Sequence, residues 1–264
     1  RAAVAANRLE LDVDVQNLTG HKLPTAYPSR RTWLHVTVRD AGGRPVFESG
    51  AITPAGLIEG NDADADATKF EPHYREIRQP GEVQIYESVM GDPAGVPTTG
   101  LLTAVRYLKD NRLLPRGFEK TTADKDIQVI GDALGDPDFA AGGDRVRYSI
   151  DTTGRQGPFQ VEVELRFQPI AYRWAQNLAR YDAPETKRFV GYYQSMSAGA
   201  SELLDAARAA ALLAGRDYAL PDDLKRMLGP CWGHRILLRA ESEIEGMTAS
   251  RVLDGIASSV EVPR

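Results

Sequence analysis

Few residues in this chain are equipped for chemistry, which makes their placement informative. Among 264 residues there are four histidines and a single cysteine. His21 lies in the stretch NLTGHKLPTAYPSRRTWLHV, residues 17–36, which also holds Pro24, Pro28 and the pair Arg30 and Arg31. A neutral imidazole on such a loop can ligate a metal, or it can bond a loop carbonyl and fix the turn. His73, in Glu71-Pro72-His73-Tyr74, has the same two readings, whereas His35 falls on a strand face with Trp33 and Thr37, where packing is expected. Asp62, Asp64 and Asp66 form a D-x-D-x-D array able to offer hard oxygen ligands to calcium. An EF-hand loop would need glycine at position 67 and a bidentate glutamate at 73; Ala67 and His73 stand there, leaving a solvated acidic loop or a simpler cation site. Arg30 and Arg31 can pair with these carboxylates or with an anionic ligand. Cys231, next to Trp232 in a stretch expected to be helical, reads as a small core residue. Neither a G-x-S-x-G elbow nor a G-x-x-x-x-G-K-[ST] loop occurs, so the chain is expected not to be an enzyme.

The elements that must hold these residues follow from hydrophobic period. Leu9, Leu11, Val13 and Val15 alternate with Glu10, Asp12, Asp14 and Gln16, and Leu34, Val36 and Val38 alternate with Trp33, His35, Thr37 and Arg39. Both patterns predict strands, with the prolines of the connector keeping it out of either one. Ala41-Gly42-Gly43-Arg44 predicts a hairpin turn into a strand over 46–49. Further strands are expected over 83–87, 144–151 and 158–168, with 51–81 a long loop, 99–109 a helix and 111–126 a connector. About six strands with turn signals between them predict an antiparallel sandwich. Beyond Pro169 the period becomes helical: one helix over 170–181, a break at Ala183-Pro184, and a second whose apolar stripe runs from Phe189 through Tyr193, Met196, Ala200 and Ala207 to about Leu213, ending at Gly215. The expected class is α+β, an antiparallel β-sandwich over 1–168, a helical linker or hairpin over 169–205, and a small helical bundle over 206–264.

A net charge of −5 and a pI near 5.5 argue against a nucleic-acid binder, whose phosphate contacts need a basic face. No apolar run approaches the roughly 18 residues of a membrane span. One cysteine permits neither an internal disulfide nor the C-x-x-C-H attachment of a c-type haem, so no haem is covalently bound here. The chain lacks an initiating methionine, and processing or truncation is expected.

Gly20-His21-Lys22-Leu23-Pro24-Thr25, Pro28-Ser29-Arg30-Arg31 and Trp33-Leu34-His35-Val36 resemble the C-terminal, haem-free domain of periplasmic multihaem c-type cytochromes. The likeness continues through Gly60-Asn61-Asp62, Glu71 to Tyr74, Gln84 to Glu87, Leu108 to Gly117, Gly142 to Val146 and Tyr172 to Ala175. It implies a periplasmic accessory domain docking on haems of a missing segment or redox partner, with His21 as candidate iron ligand and Arg30 and Arg31 as propionate contacts. A second stretch, Ala206 to Ala209 with Leu212 to Tyr218, Pro221 to Leu224, His234-Arg235, Leu237 to Arg239, Glu245-Gly246 and Val260 to Arg264, resembles the helical lid of MoxR-type AAA+ ATPases. That resemblance implies a cytoplasmic address and an ATPase core as partner. The arginine that follows Gly-Ala-Ser-Pro in the lid family is absent, because Glu202 follows Gly199-Ala200-Ser201, and no nucleotide hydrolysis is expected. A fusion joined between about Ser197 and Ala207 would unite the two. A calcium-dependent sandwich module is the remaining expectation.

Overall fold

The computed structural model describes residues 1–5, 7–196 and 201–208. Two sheets are built from eleven strands: β1 (Ala2–Ala5), β2 (Arg8–Gln16), β3 (Arg31–Arg39), β4 (Pro45–Ser49), β5 (Glu76–Ile77), β6 (Ile85–Gly91), β7 (Pro97–Thr98), β8 (Arg106–Asp110), β9 (Gly143–Asp151), β10 (Gln160–Gln168) and β11 (Glu202–Arg208). The smaller sheet has the order β1-β2-β9-β5; the larger runs β11-β10-β3-β6-β7, with β4 also on β3 and β8 also on β6. All pairings are antiparallel except the short β5 on β9. Among the described residues three α-helices accompany them, α1 (Asp62–Ala65), α2 (Tyr172–Leu178) and α3 (Pro184–Met196).

The alternation of β2 and β3 has its physical outcome in the layer between the sheets. Leu9, Leu11 and Val15 from β2 meet Leu34, Val36 and Val38 from β3, with Val146, Tyr148 and Ile150 of β9 and Val161 of β10, in one buried cluster. β2 and β3 therefore belong to different sheets, and the 17–30 loop carries the chain across the sandwich. The register is continuous, Arg8↔Asp151 to Gln16↔Gly143 in one sheet and Gln160↔Arg39 to Gln168↔Arg31 in the other. A one-residue slip in either would turn the apolar rows to solvent. Gly143 permits the first pairing at its end, since a Cβ there would lie 2.2 Å from the Val15 carbonyl oxygen.

The other face of the larger sheet is covered too. Trp33, Ile58, Val83 and Ile85 form a second small core, capped by the chain between β4 and β6. That stretch, expected to be a long functional or wrapping loop, also contains α1 and β5. The acidic helix α1 starts where the Asn61 side chain accepts from the Ala63 amide at 3.0 Å.

Two helical expectations give way to strands. Over 99–109, Gly100 opens a turn closed by Thr103 and Ala104 amides on its carbonyl, Leu101 and Leu102 stay exposed, and Arg106 to Asp110 pair with β6 as β8. The leucine spacing is helical, but the unpaired edge of β6 supplies the hydrogen bonds. Likewise the stripe from Phe189 to Leu213 is divided: α3 ends at Met196 and Glu202–Arg208 add to β10 as β11. That strand crosses residues 205 and 206, where linker and bundle are divided in sequence. The rest of the expected bundle, with Cys231 and His234, lies outside the described residues. Pro184 is the first residue of α3, where its missing N–H costs nothing, and α2 is shorter than the expected 170–181.

Candidate functional site

His21 is exposed at the start of a loop pinned from beneath. The buried Asn17 side-chain amide donates to the His21 carbonyl at 2.8 Å and to the Leu113 carbonyl at 3.0 Å, and Leu23 and Leu113 exchange backbone hydrogen bonds. The Thr19 hydroxyl lies 2.8 Å from Asn17 Oδ1, 2.8 Å from the His21 carbonyl and 3.1 Å from His21 Nδ1. The hydroxyl has one proton and three such neighbours, so the role of His21 Nδ1 in this contact follows its tautomer. Nε2 lies on the side of the ring away from these anchoring groups, and a histidine that ligates a metal through one ring nitrogen commonly has the other hydrogen-bonded in this way.

Arg30 and Arg31 part company. Arg30 donates to the Thr25 carbonyl at 3.2 Å and remains partly accessible. Arg31 is buried: it holds both oxygens of Asp64 at 2.8 Å and donates to Gln168 Oε1 at 2.8 Å. Its guanidinium is turned into the protein, so the propionate contact implied for Arg31 is corrected to internal pairing with an aspartate of the acidic array. Burial by itself would lower the Arg31 pKa, but the Asp64 charge beside it reverses this and holds it above the ordinary value. Gln168 in turn donates to Tyr193 Oη at 3.2 Å, tying α3 to the sheet.

The three aspartates do not converge. Asp64 is committed to Arg31 and to the Ile58 amide, while Asp66 accepts from both the amide and the hydroxyl of Thr68. Among the described residues they form no cluster close enough to hold an ion. The calcium expectation is corrected accordingly: α1 spreads the carboxylates around a helical turn, and the buried guanidinium supplies the counter-charge.

What the fold brings together instead is a buried polar network around His73. Ligand atoms of His73, Asp136 and Asp144 lie within 4.8 Å of one another, all three residues buried. His73 Nδ1 accepts from Gln84 Nε2 at 2.8 Å and Asn111 Nδ2 at 3.1 Å; Nε2 faces Asp136 Oδ2 at 3.2 Å. Neither amide can be turned around, because Gln84 Oε1 accepts from the Tyr74 amide and Asn111 Oδ1 from the Glu87 amide. The ring is therefore fixed with Nδ1 as acceptor and Nε2–H as donor to Asp136. A metal on Nε2 would leave the ring without a proton at either nitrogen, so the arrangement suits holding a proton rather than an ion.

The electrostatics agree. Burial, with the Lys109 charge second, pushes the His73 pKa down to about 4. Burial, reinforced by the Asp136 charge, pushes Asp144 up to about 7, although Tyr86 and Gln84 donate to its Oδ2 at 2.8 and 3.2 Å. Asp144 Oδ1 and the Tyr148 hydroxyl have no hydrogen-bond partner among the described residues. Asp144 also borders a cleft of about 430 Å³ together with Asp14, Asp138 and Arg145.

Of these residues, sequence reasoning singled out only His73. A signal existed: His73, Gln84, Tyr86, Asn111 and Asp144 each fall in one of the separated stretches that carry the cytochrome resemblance, and the fold draws those stretches to one point.

Comparisons with known proteins find likenesses on different scales. Residues 193–256 match the AAA lid domain family. Over 65 residues the chain is 40% identical to the uncharacterized protein YeaC of Bacillus subtilis (strain 168), covering 25% of this chain and 20% of the relative. It thus spans about a fifth of that protein's length. The crystal structure of a penta-haem cytochrome c552 from Thermochromatium tepidum aligns with 79% of this chain and 37% of its own, at 16% identity and a TM-score of 0.44. No helix among the described residues is long and apolar enough to cross a membrane. The chain is thus a β-rich body, with a few helices, running into a stretch similar to AAA lid domains.

Proposed function

We propose that the sandwich is a non-catalytic accessory domain of a periplasmic multihaem electron-transfer protein, docking against haem carried by another segment or partner, with His21 presented to the iron. The observation that carries this reading is the placement of His21: an exposed imidazole on a pinned loop, with Nδ1 3.1 Å from the Thr19 hydroxyl and Nε2 on the other side of the ring. Haem would supply the redox chemistry; this chain's part is to fix the ring's orientation. Arg30 fits a propionate contact and Arg31 does not. The test is titration of the chain with a haem peptide that has one open axial position. A low-spin shift of the Soret band is expected, and it is lost in His21→Ala but kept in His73→Gln. An unchanged spectrum with the parent chain, or an equal shift with His21→Ala, overturns the assignment.

The match at 193–256 favours a second reading for the C-terminal part, an interaction module for an AAA+ ATPase core without hydrolysis of its own. Interferometry of the full chain against a separately expressed P-loop domain, with and without ATP, checks it. Saturable binding supports this reading and its absence in both conditions removes it.

A further inference from the structure

Beside α2 the cations outnumber the carboxylates that answer them. Arg173, half-buried on that helix, borders the same hollow as Arg31, Asp64 and Glu87. Asp64 is matched by Arg31 and Glu87 by Lys109, so Arg173 is the surplus charge. Asp66, a further carboxylate whose charge reaches it, is held by the amide and hydroxyl of Thr68. Burial lowers the Arg173 pKa, and the charges of Glu87 and Asp64 do not restore it. Arg173 makes no ion pair among the described residues. A guanidinium partly stripped of water and short of counter-charge gains from an added anion.

The group is also fixed in place. Arg173 Nη2 donates to the Ala67 carbonyl at 3.1 Å and to the Lys69 carbonyl at 2.6 Å, leaving Nε and Nη1 without a partner among the described residues. Asn177 and Arg180 follow at i+4 and i+7, the spacing of one helical face. With Thr98 and Thr99 at the end of β7 these three line a cleft of about 100 Å³ that no acidic residue borders. The Arg180 and Asn177 side chains and the Thr99 hydroxyl have no hydrogen-bond partner among the described residues. The carbonyls of Ala175, Asn177 and Leu178, which would repel an anion, are taken by the amides of Ala179, Arg180 and Tyr181. We propose that this cleft binds an oxyanion, the carboxylate or phosphate group of a small molecule, between Arg173 and Arg180. Arg173 gives a fixed donor, Arg180 a free fork, and Asn177 and Thr99 complete the ring of donors. The space holds several waters, or one such group in their place. This inference stands apart from the role of His21.

The experiment follows the amide and arginine Nε–H resonances of the isotope-labelled full chain at neutral pH. Inorganic phosphate is titrated in one arm and succinate in the other, with ionic strength held constant by sodium chloride. Saturable shifts are expected on residues 97–99 and 173–180, and the anion that binds more tightly tells a phosphate source from a carboxylate one. Arg180→Ala removes a side chain that holds nothing else in place, so the melting temperature should stay the same while binding weakens about tenfold. Arg39→Ala, exposed at the far end of β3 from Arg31, should leave binding as it was. No saturation with either anion, the same shifts with chloride alone, or undiminished binding in Arg180→Ala overturns the proposal. Equal weakening in Arg39→Ala, the mark of general charge attraction, overturns it as well.

Discussion

His73 and Asp144 carry opposite pH signatures, and together they nearly conceal one another. His73 titrates near 4 in the folded chain, below its ordinary 6.5, so the unfolded chain binds more protons between these values and stability rises with pH there. Asp144 titrates near 7, above its ordinary 3.8, so the folded chain binds more protons and stability falls as pH rises through about 4 to 7. The parent chain should therefore show a shallow stability profile between pH 4.5 and 6.5, on the order of 1 kcal/mol or less from this pair. Asp144→Asn, which keeps an oxygen for Tyr86 and Gln84, should expose the His73 slope, with urea midpoints climbing from pH 4.5 to 6.5. His73→Gln should expose the reverse slope. Identical profiles for all three chains would refute the coupling. At Arg31 the expectation is larger: Arg31→Ala leaves the buried Asp64 charge unmatched and should cost about 3–5 kcal/mol, much of it recovered when Asp64→Ala is added. A double-mutant cycle in urea measures that recovery.

At the scale of elements, the loop between β2 and β3 is anchored at Asn17 and Leu23 and holds one residue in an unfavourable backbone region. Ala26 sits at φ +65°, in the left-handed region that a Cβ disfavours by roughly 1–2 kcal/mol. Ala26→Gly should consequently be neutral or stabilising by up to about 1 kcal/mol in spite of the entropy that glycine adds. A loss of more than that in chemical denaturation would show the strain to be absent. The β2 and β3 strands and the 41–44 turn follow directly from local pattern. The β8 and β11 strands do not, because their leucine and alanine spacing is helical and only the presence of a sheet edge with unpaired amides and carbonyls decides otherwise. Residues such as Leu108 and Leu203 thus carry a local preference that the assembled sheet overrides.

At the scale of the molecule, three buried carboxylates among the described residues find their counter-charges within the chain: Asp64 from Arg31, Asp110 from Lys22 and Arg112, Glu87 from Lys109. Chelation should therefore leave the melting temperature of the sandwich unchanged, and calcium added to the chelated chain should not raise it. A shift of several degrees in differential scanning fluorimetry would reopen the Asp62, Asp64 and Asp66 array as a cation site. The same internal pairing is what removes Arg31 from the surface, whereas His21 is exposed and Arg30 partly so.

Sequence alone determined the sandwich, since alternation at Leu9 to Val15, Leu34 to Val38 and Val161 to Leu165 is a local property that names which side chains face inward. It also marked the His21 loop, because prolines constrain their own backbone. Only tertiary structure decided that Asp64 answers Arg31 across 33 positions and that His73 is fixed by Gln84, Asn111 and Asp136 from three distant segments. Those contacts depend on the register of strands far apart in sequence and on burial that raises the cost of an unmatched charge, and neither quantity is written in any local pattern.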